Sequence, residues 1–225
     1  MANKRRAFGP FCACCPARQA VVARLARTLG LRMDRPWFRA AQKLKFHDPA
    51  RFLADLRKIE VEVACSQTPE RIRNLRTNGL KEAREQRQAA LFCHGMGQRI
   101  GQTVFFAANE DQDYDFVASW VVEDKQHMAP VQLKEVVPPS LNPLASIDSI
   151  VAGLEKYSDS AGLTVAVHLN QAGRFESSSL QLQHLRVASF WIFAAASPDQ
   201  SQWILWGNFT EPDAYGTRFI YPAEA

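Results

Sequence analysis

The chain of 225 residues is long enough for one well-cored domain with an appendage or for two small ones, and 47% of it is hydrophobic, enough to build a core. No apolar run approaches the roughly 20 residues that a membrane helix needs, which argues against a membrane protein of the helical kind. The net charge of +4 hides an asymmetry: residues 1–99 hold 21 Lys/Arg against 8 Asp/Glu, and residues 100–225 hold 6 against 15, so a basic half suited to a polyanion adjoins an acidic half that gathers carboxylates.

The first stretch, M-A-N-K-R-R-A-F-G-P-F-C-A-C-C-P, is basic, but its apolar part is too short and too broken by Gly9 and Pro10 for a signal peptide, and a cytoplasmic protein is expected. Cys12, Cys14 and Cys15 crowd together there among five cysteines, an odd number that does not suit a secreted disulfide framework. No second Cys/His pair stands at finger-like spacing, so reduced thiols are favoured over a zinc site. Apolar residues then recur at helical spacing from Ala17 to Gly30, which serves as C-cap. Further helices are predicted over 34–44 and, with Asp48 as N-cap, over 49–59. Another begins at Thr68 with Pro69 in its first turn and continues, with a break at Asn78-Gly79, up to Gly95. G-M-G-Q-R-I-G at 95–101 follows a helix and precedes a strand, the wrong order for a dinucleotide loop, and is read as a turn.

Three strand-like runs follow at 102–107, 115–122 and 131–137, separated by the turn-like E-D-Q-D and E-D-K-Q-H-M-A-P. They predict an antiparallel meander. A helix capped at Ser146 comes next, then a near-continuous apolar strand at 163–169, a further helix at 178–187, and strands at 189–195, 203–206 and 217–221. A meander joined through a helix to a fourth, parallel strand is a mixed α/β sheet. The expected organisation is a basic helical extension over 1–79 and an α/β domain over 80–225.

Polar residues inside two of these strands carry the chemistry. Residues two apart on a strand share a face, ~6.6–7 Å from one another, so Gln132 and Lys134 project together. If Asp115 opens the neighbouring strand on that face, a carboxylate, an amide oxygen and an ammonium converge. Oxygen donors of that kind suit Mg2+, which can hold a phosphate oxygen and lower the pKa of a bound water, while a lysine beside it stabilises developing charge at phosphorus. Each residue also has a plainer role. Asp115 could be a turn acid, with Asp113 the alternative carboxylate. Gln132 and Lys134 could be the solvent face of an edge strand. Glu135 points away from Gln132 and is left out of the site, and Trp120 packs on the face opposite Asp115. There is no G-x-S-x-G, P-loop, H-E-x-x-H or paired C-x-x-C, and Cys93-His94, adjacent on a helix, do not make a nucleophile–base pair.

In D-Y-D-F-V-A-S-W-V-V at 113–122 and V-Q-L-K at 131–134, over about residues 80–170, the chain resembles the PD-(D/E)XK nuclease superfamily, the restriction-endonuclease-like fold. Asp115 matches that family's aspartate at the start of the second strand and Lys134 its lysine. Gln132 stands where Asp or Glu is usual, which removes one negative charge from the metal site. The resemblance implies a metal-dependent nuclease acting on DNA with Mg2+ or Mn2+ as cofactor. Asp115 and Gln132 would bind the metal, Leu133 adding its carbonyl, and Lys134 would position the water. A helix glutamate would complete the site: Glu85, with Glu82 one turn away as the alternative. Lys156 and Tyr157 are candidates for the DNA backbone, and a homodimer is a further expectation. A nuclease-like module that binds nucleic acid or protein without cleaving is the alternative, and an α/β protein with an unrelated ligand a third.

Overall fold

The computed structural model describes residues 35–67, 69, 72, 76, 78–109, 114–154, 162–171, 180, 182 and 184–222. The helix expected over 17–30, most of the segment that opens at Thr68, the Cys12/Cys14/Cys15 cluster, Asp113, Lys156 and Tyr157 lie outside them. Helices α1 (Arg35–Ala41), α2 (Pro49–Ala64), α3 (Lys81–Ile100) and α4 (Ile147–Leu154) flank a single sheet. Its strands are β1 (Phe105–Ala108), β2 (Phe116–Val122), β3 (Lys125–Val136), β4 (Thr164–Leu169), β5 (Ser189–Ala195), β6 (Gln202–Gly207) and β7 (Tyr215–Ile220), lying side by side in chain order. The chain is therefore an α/β fold on a mixed sheet. β1, β2 and β3 form the antiparallel meander; β4 is parallel to β3 and β5 to β4, after which β6 and β7 return antiparallel.

Burial follows from this order. β4 sits between two parallel neighbours and β5 between the parallel β4 and the antiparallel β6, in the middle of the sheet, and their apolar runs T-V-A-V-H-L and S-F-W-I-F-A-A are buried almost throughout. On one face α2 and α3 pack on Phe106, Phe116, Trp120, Val131, Trp191 and Phe193. On the other, α4 closes over Val136, Val165, Val167 and Ile192. α1 joins Val117 and Met128 on that second face through Ala41, Trp37 and Phe38. Of the four strand tryptophans expected in the core, Trp120, Trp191 and Trp203 are buried, while Trp206 is half-buried against the α4 cluster. No helix among the described residues is long and apolar enough to cross a membrane.

Local signals explain where the helices begin. Asp48 Oδ1 accepts from the amides of Ala50 and Arg51 at 2.8 and 3.1 Å, and Pro49 occupies the first helical position. Ser146 and Ser149 cap α4 reciprocally, each hydroxyl accepting from the other's amide at 3.1–3.2 Å. The segment 95–101 is not the turn expected. α3 runs through Gly95 and Gly97 and ends at Gly101, whose φ of 76° and bond to the Gly97 carbonyl close the helix. The two inner glycines serve close packing. A Cβ on Gly95 would stand 2.7 Å from the Phe219 ring, and one on Gly97 2.9 Å from the Gln102 carbonyl. β3 begins at Lys125, six residues before its apolar part, because pairing with β2 carries K-Q-H into the ladder. Of the helix expected at 178–187, the described residues are turn and irregular chain, not helix. Leu180, Leu182, Leu185 and Val187 pack against the α4 cluster, and the Leu185 amide donates to the Leu182 carbonyl at 3.0 Å in a turn.

Two glycine substitutions separate these effects. Gly97→Ala meets backbone that cannot step aside and should lower stability by about 1–3 kcal/mol. Gly153→Ala near the end of α4 meets nothing within 4 Å and should raise it by a few tenths to about 1 kcal/mol. Urea denaturation of both variants at neutral pH reads the difference.

Candidate active site at the end of strands β2 and β3

The second and third strands do not end level. Phe116 is paired with Val131, so the preceding residue, Asp115, stands opposite Gln132, and β3 continues to Val136 without a β2 neighbour. Asp115 is held on all sides. Its amide donates to Val131 O at 3.0 Å and its carbonyl accepts from Asn109 N at 3.2 Å. The adjacent Tyr114 hydroxyl accepts from Trp37 Nε1 and Asn109 Nδ2, both at 2.9 Å. Asp115 Oδ2 accepts from the Leu133 amide at 2.6 Å and from Gln132 Nε2 at 2.7 Å. The first of these bonds satisfies a strand amide that β2 no longer reaches, so the carboxylate caps the ladder where it breaks off. Oδ1 accepts no hydrogen bond among the described residues and is available to a ligand.

Gln132 and Lys134 share a face of β3, and Val165 and Val167 lie beside them on β4. β3 lies inside the sheet, between β2 and β4, so the edge-strand role does not apply. Lys134 is half-buried and makes no ion pair among the described residues. Asp115 also borders a small cleft partly open to solvent, whose lining includes Glu82, Glu85, Ala108 and Leu133. The structure thus joins Asp115 to Gln132 directly, brings both α3 glutamates to the same cleft as Asp115, and leaves Lys134 two residues along the strand on the Gln132 side.

The carboxylates of Asp115, Glu82 and Glu85 are hard oxygen donors of the kind that suits Mg2+, whereas Gln132 and Lys134 project from the α4 face of β3 and do not line the cleft. Two details qualify the expectation. Gln132 turns its NH2, not its oxygen, to Asp115; a cation shared by the two requires the amide to turn over, which exchanges nearly isosteric ends. Glu85 pairs with Lys81 at 3.5 Å, and among the described residues no three His, Cys, Asp or Glu side chains stand close enough together to hold a metal.

A second polar cluster lies on the opposite face of β3, where the sequence alone placed no site. Glu135 is gripped by both terminal nitrogens of Arg76, accepts from Asn170 Nδ2 at 2.7 Å, and has Arg84 Nε at 3.9 Å and His168 Nδ1 at 4.0 Å. Gln88 Nε2 lies 3.2 Å from His168 Nδ1, which must then be the acceptor, leaving the imidazole proton on Nε2. Burial pushes the His168 pKa down to about 3, against the pull of Glu135. For Glu135 burial acts upward, but the hydrogen bonds from Arg76 and Asn170 outweigh it and hold the carboxyl below its ordinary value. The only sequence signal was parity, since Glu135 must face away from Gln132 and Lys134; its partners lie 33 to 59 residues away.

Comparison with protein-family models, with curated proteins and with solved structures finds no match to this chain.

The buried imidazole fixes an acid limit. Unfolded, it takes up a proton as pH falls through about 6.5; folded, it does so only near 3. Between those values the unfolded state binds more protons, so stability falls with pH, by about 2 kcal/mol from this residue between pH 7.5 and 5. The depressed Glu135 adds to the loss at lower pH, below the usual carboxylate range. Denaturant midpoints from pH 8 to 4 should show the slope, and His168→Phe should flatten it.

Proposed function

We propose that the chain is a metal-dependent nuclease hydrolysing phosphodiester bonds in DNA. The observation that carries the reading is the direct pairing of Asp115 with Gln132 where β2 gives out beside β3, with Lys134 on the Gln132 face and Glu82 and Glu85 on the other side of the sheet, bordering the same cleft as Asp115. The resemblance to the PD-(D/E)XK pattern rests on these same residues.

Asp115 would hold Mg2+ or Mn2+ through its unused oxygen, with Gln132 through the amide oxygen once turned and Glu85 or Glu82 from the helix. When bound, the ion supplies charge neutralisation at a phosphate oxygen and a water of lowered pKa. Asp115 needs no reorganisation for this role, since backbone and side-chain bonds already fix it. Lys134, with no carboxylate partner among the described residues, keeps its charge for the attacking water or the developing negative charge at phosphorus. The basic residues concentrated in 1–99 would approach the phosphate backbone.

A second reading keeps the fold without the cleavage: a nuclease-like module that binds nucleic acid. The Gln132 amide donating to Asp115, where a ligand oxygen is needed, favours it.

Lys134→Ala and Asp115→Asn should each reduce Mg2+-dependent cleavage of a labelled duplex by about 100-fold or more while circular dichroism stays native. Unchanged cleavage by Lys134→Ala overturns the assignment. Duplex affinity should fall linearly in log–log form as salt rises, with a slope set by the phosphates contacted. Salt-sensitive binding without cleavage in Mg2+ or Mn2+ selects the second reading.

A further inference from the structure

The excess of positive charge in the first half of the chain is not spread evenly over its helices. Residues 35–47, which form α1 and the turn after it, hold four Lys/Arg and no Asp/Glu, whereas α2 holds three of each. Two of the α2 cations are answered on their own helix: Arg57 pairs with Glu60 at 3.2 Å and Lys58 with Asp55 at 3.5 Å. On α1 and its turn, Arg39, Lys43 and Lys45 are exposed and make no ion pair or hydrogen bond among the described residues. We propose that this side of α1 is the docking surface for the phosphate backbone of a nucleic acid and leads it along the β2–β3 hairpin to Lys134. The path rests on the nuclease reading in taking DNA as the substrate.

Packing fixes where that surface faces. Trp37, Phe38, Ala41 and Leu44, at helical spacing, turn α1 onto Val117, Met128 and Leu163. Arg39 and Lys43, four apart, therefore share the side turned away from the sheet. The helix is laid along the hairpin and fastened at both ends: Trp37 Nε1 donates to the Tyr114 hydroxyl at 2.9 Å, and Gln42 Nε2 to Gln126 Oε1 at 3.2 Å. Tyr114 precedes Asp115, so the Trp37 end of α1 adjoins the break in the ladder. Alternation along β3 continues the path. Met128 lies under α1 and Val136 under α4, so Gln132 and Lys134, of the same parity, stand on the same face between the two helices. Lys134 is the cation that a backbone leaving α1 meets there.

The chemistry selects a nucleic acid over the other partners of a basic helix. Acids on the hairpin are confined to its turn, Glu123 and Asp124, at the Gln42 end, and to Glu135, which faces away from Lys134. An anionic lipid surface is gripped by apolar side chains inserted beside the cations, but no large hydrophobic residue of 35–47 is exposed. Arg39 and Lys43 stand about one helical turn apart, ~5–6 Å between Cβ atoms, and their long stems let the two charged ends meet separate phosphates. With Lys45, three such contacts give a salt slope of about 2.7 in log–log form, because each phosphate neutralised releases condensed counterions.

The test is fluorescence anisotropy of a labelled DNA duplex with the full chain over a range of salt, in EDTA so that no cleavage occurs. Arg39→Gln, Lys43→Gln and Lys45→Gln should each lower the log–log salt slope by about 0.9, and the triple variant should raise Kd about 100-fold near physiological salt. Glutamine keeps the helix propensity of these exposed positions, so circular dichroism should stay native. Arg218→Gln removes an exposed cation on β7, at the far edge of the sheet, and should leave the slope unchanged. A triple variant with the wild-type slope overturns the proposal, as does an equal loss in Arg218→Gln, or binding to phosphatidylserine vesicles in place of duplex. The nuclease reading is judged separately. A chain that binds DNA through α1 but does not cleave it in Mg2+ or Mn2+ defeats that reading and leaves the docking surface standing, whereas cleavage and binding with no dependence on α1 defeat the docking surface alone. Wild-type chain that binds no duplex defeats both.

Discussion

The site depends on β2 stopping short of β3. From Leu133 to Val136 the third strand keeps β4 as a neighbour but has lost β2, so one side of its backbone faces a notch. An unpaired amide at such a place would cost on the order of 1–3 kcal/mol if shielded from water. Asp115 prevents this by offering Oδ2 to the Leu133 amide, and that need is what plants a carboxylate at the break in the ladder. Its structural and proposed chemical roles are therefore compatible. The bond that completes the sheet engages Oδ2, fixes the direction of the side chain, and leaves Oδ1 without a hydrogen bond among the described residues.

The same break sets the surroundings. Because β3 continues, Lys134 lies beyond the reach of any β2 side chain, and because β4 runs parallel to β3 the connection between them must cross a face, which α4 does. α3 covers the opposite face and brings its acidic stripe to the rim. Asp115 thus stands between two layers, the Gln132–Lys134 face on the α4 side and, on the other, the α3 glutamates that border its cleft.

Much of this was legible in the sequence because it depends on local rules. Asp48 and Ser146 announce helix starts through the hydrogen bonds that their own side chains make, and strand alternation alone put Gln132 and Lys134 on one face and Glu135 on the other. The segment at Gly95–Gly101 misled because glycine has two uses. Here it admits Phe219 and the Gln102 carbonyl into close contact, a tertiary reason that no window of sequence contains. The start of β3 was missed because K-Q-H is extended only by virtue of β2 beside it. The Glu135 cluster was out of reach for a related reason: an ion-pair partner 59 residues away obeys no local spacing.

The four residues Q-L-K-E at 132–135 show how tightly these requirements are interlocked. A slip of one residue in the β3 register exchanges its faces. Lys134 would then enter the position between Arg76 and Arg84, three cations with no carboxylate, while Glu135 would stand on the Asp115 side of the strand. Both outcomes place like charges together in partly buried surroundings, where charge repulsion is poorly screened. The correct register pairs Glu135 with its arginines and Asp115 with Gln132 at once. The alternation that makes the motif recognisable thus also fixes the strand against its neighbours, and the arginine-bound glutamate contributes to that specificity even though its own chemistry lies outside the cleft.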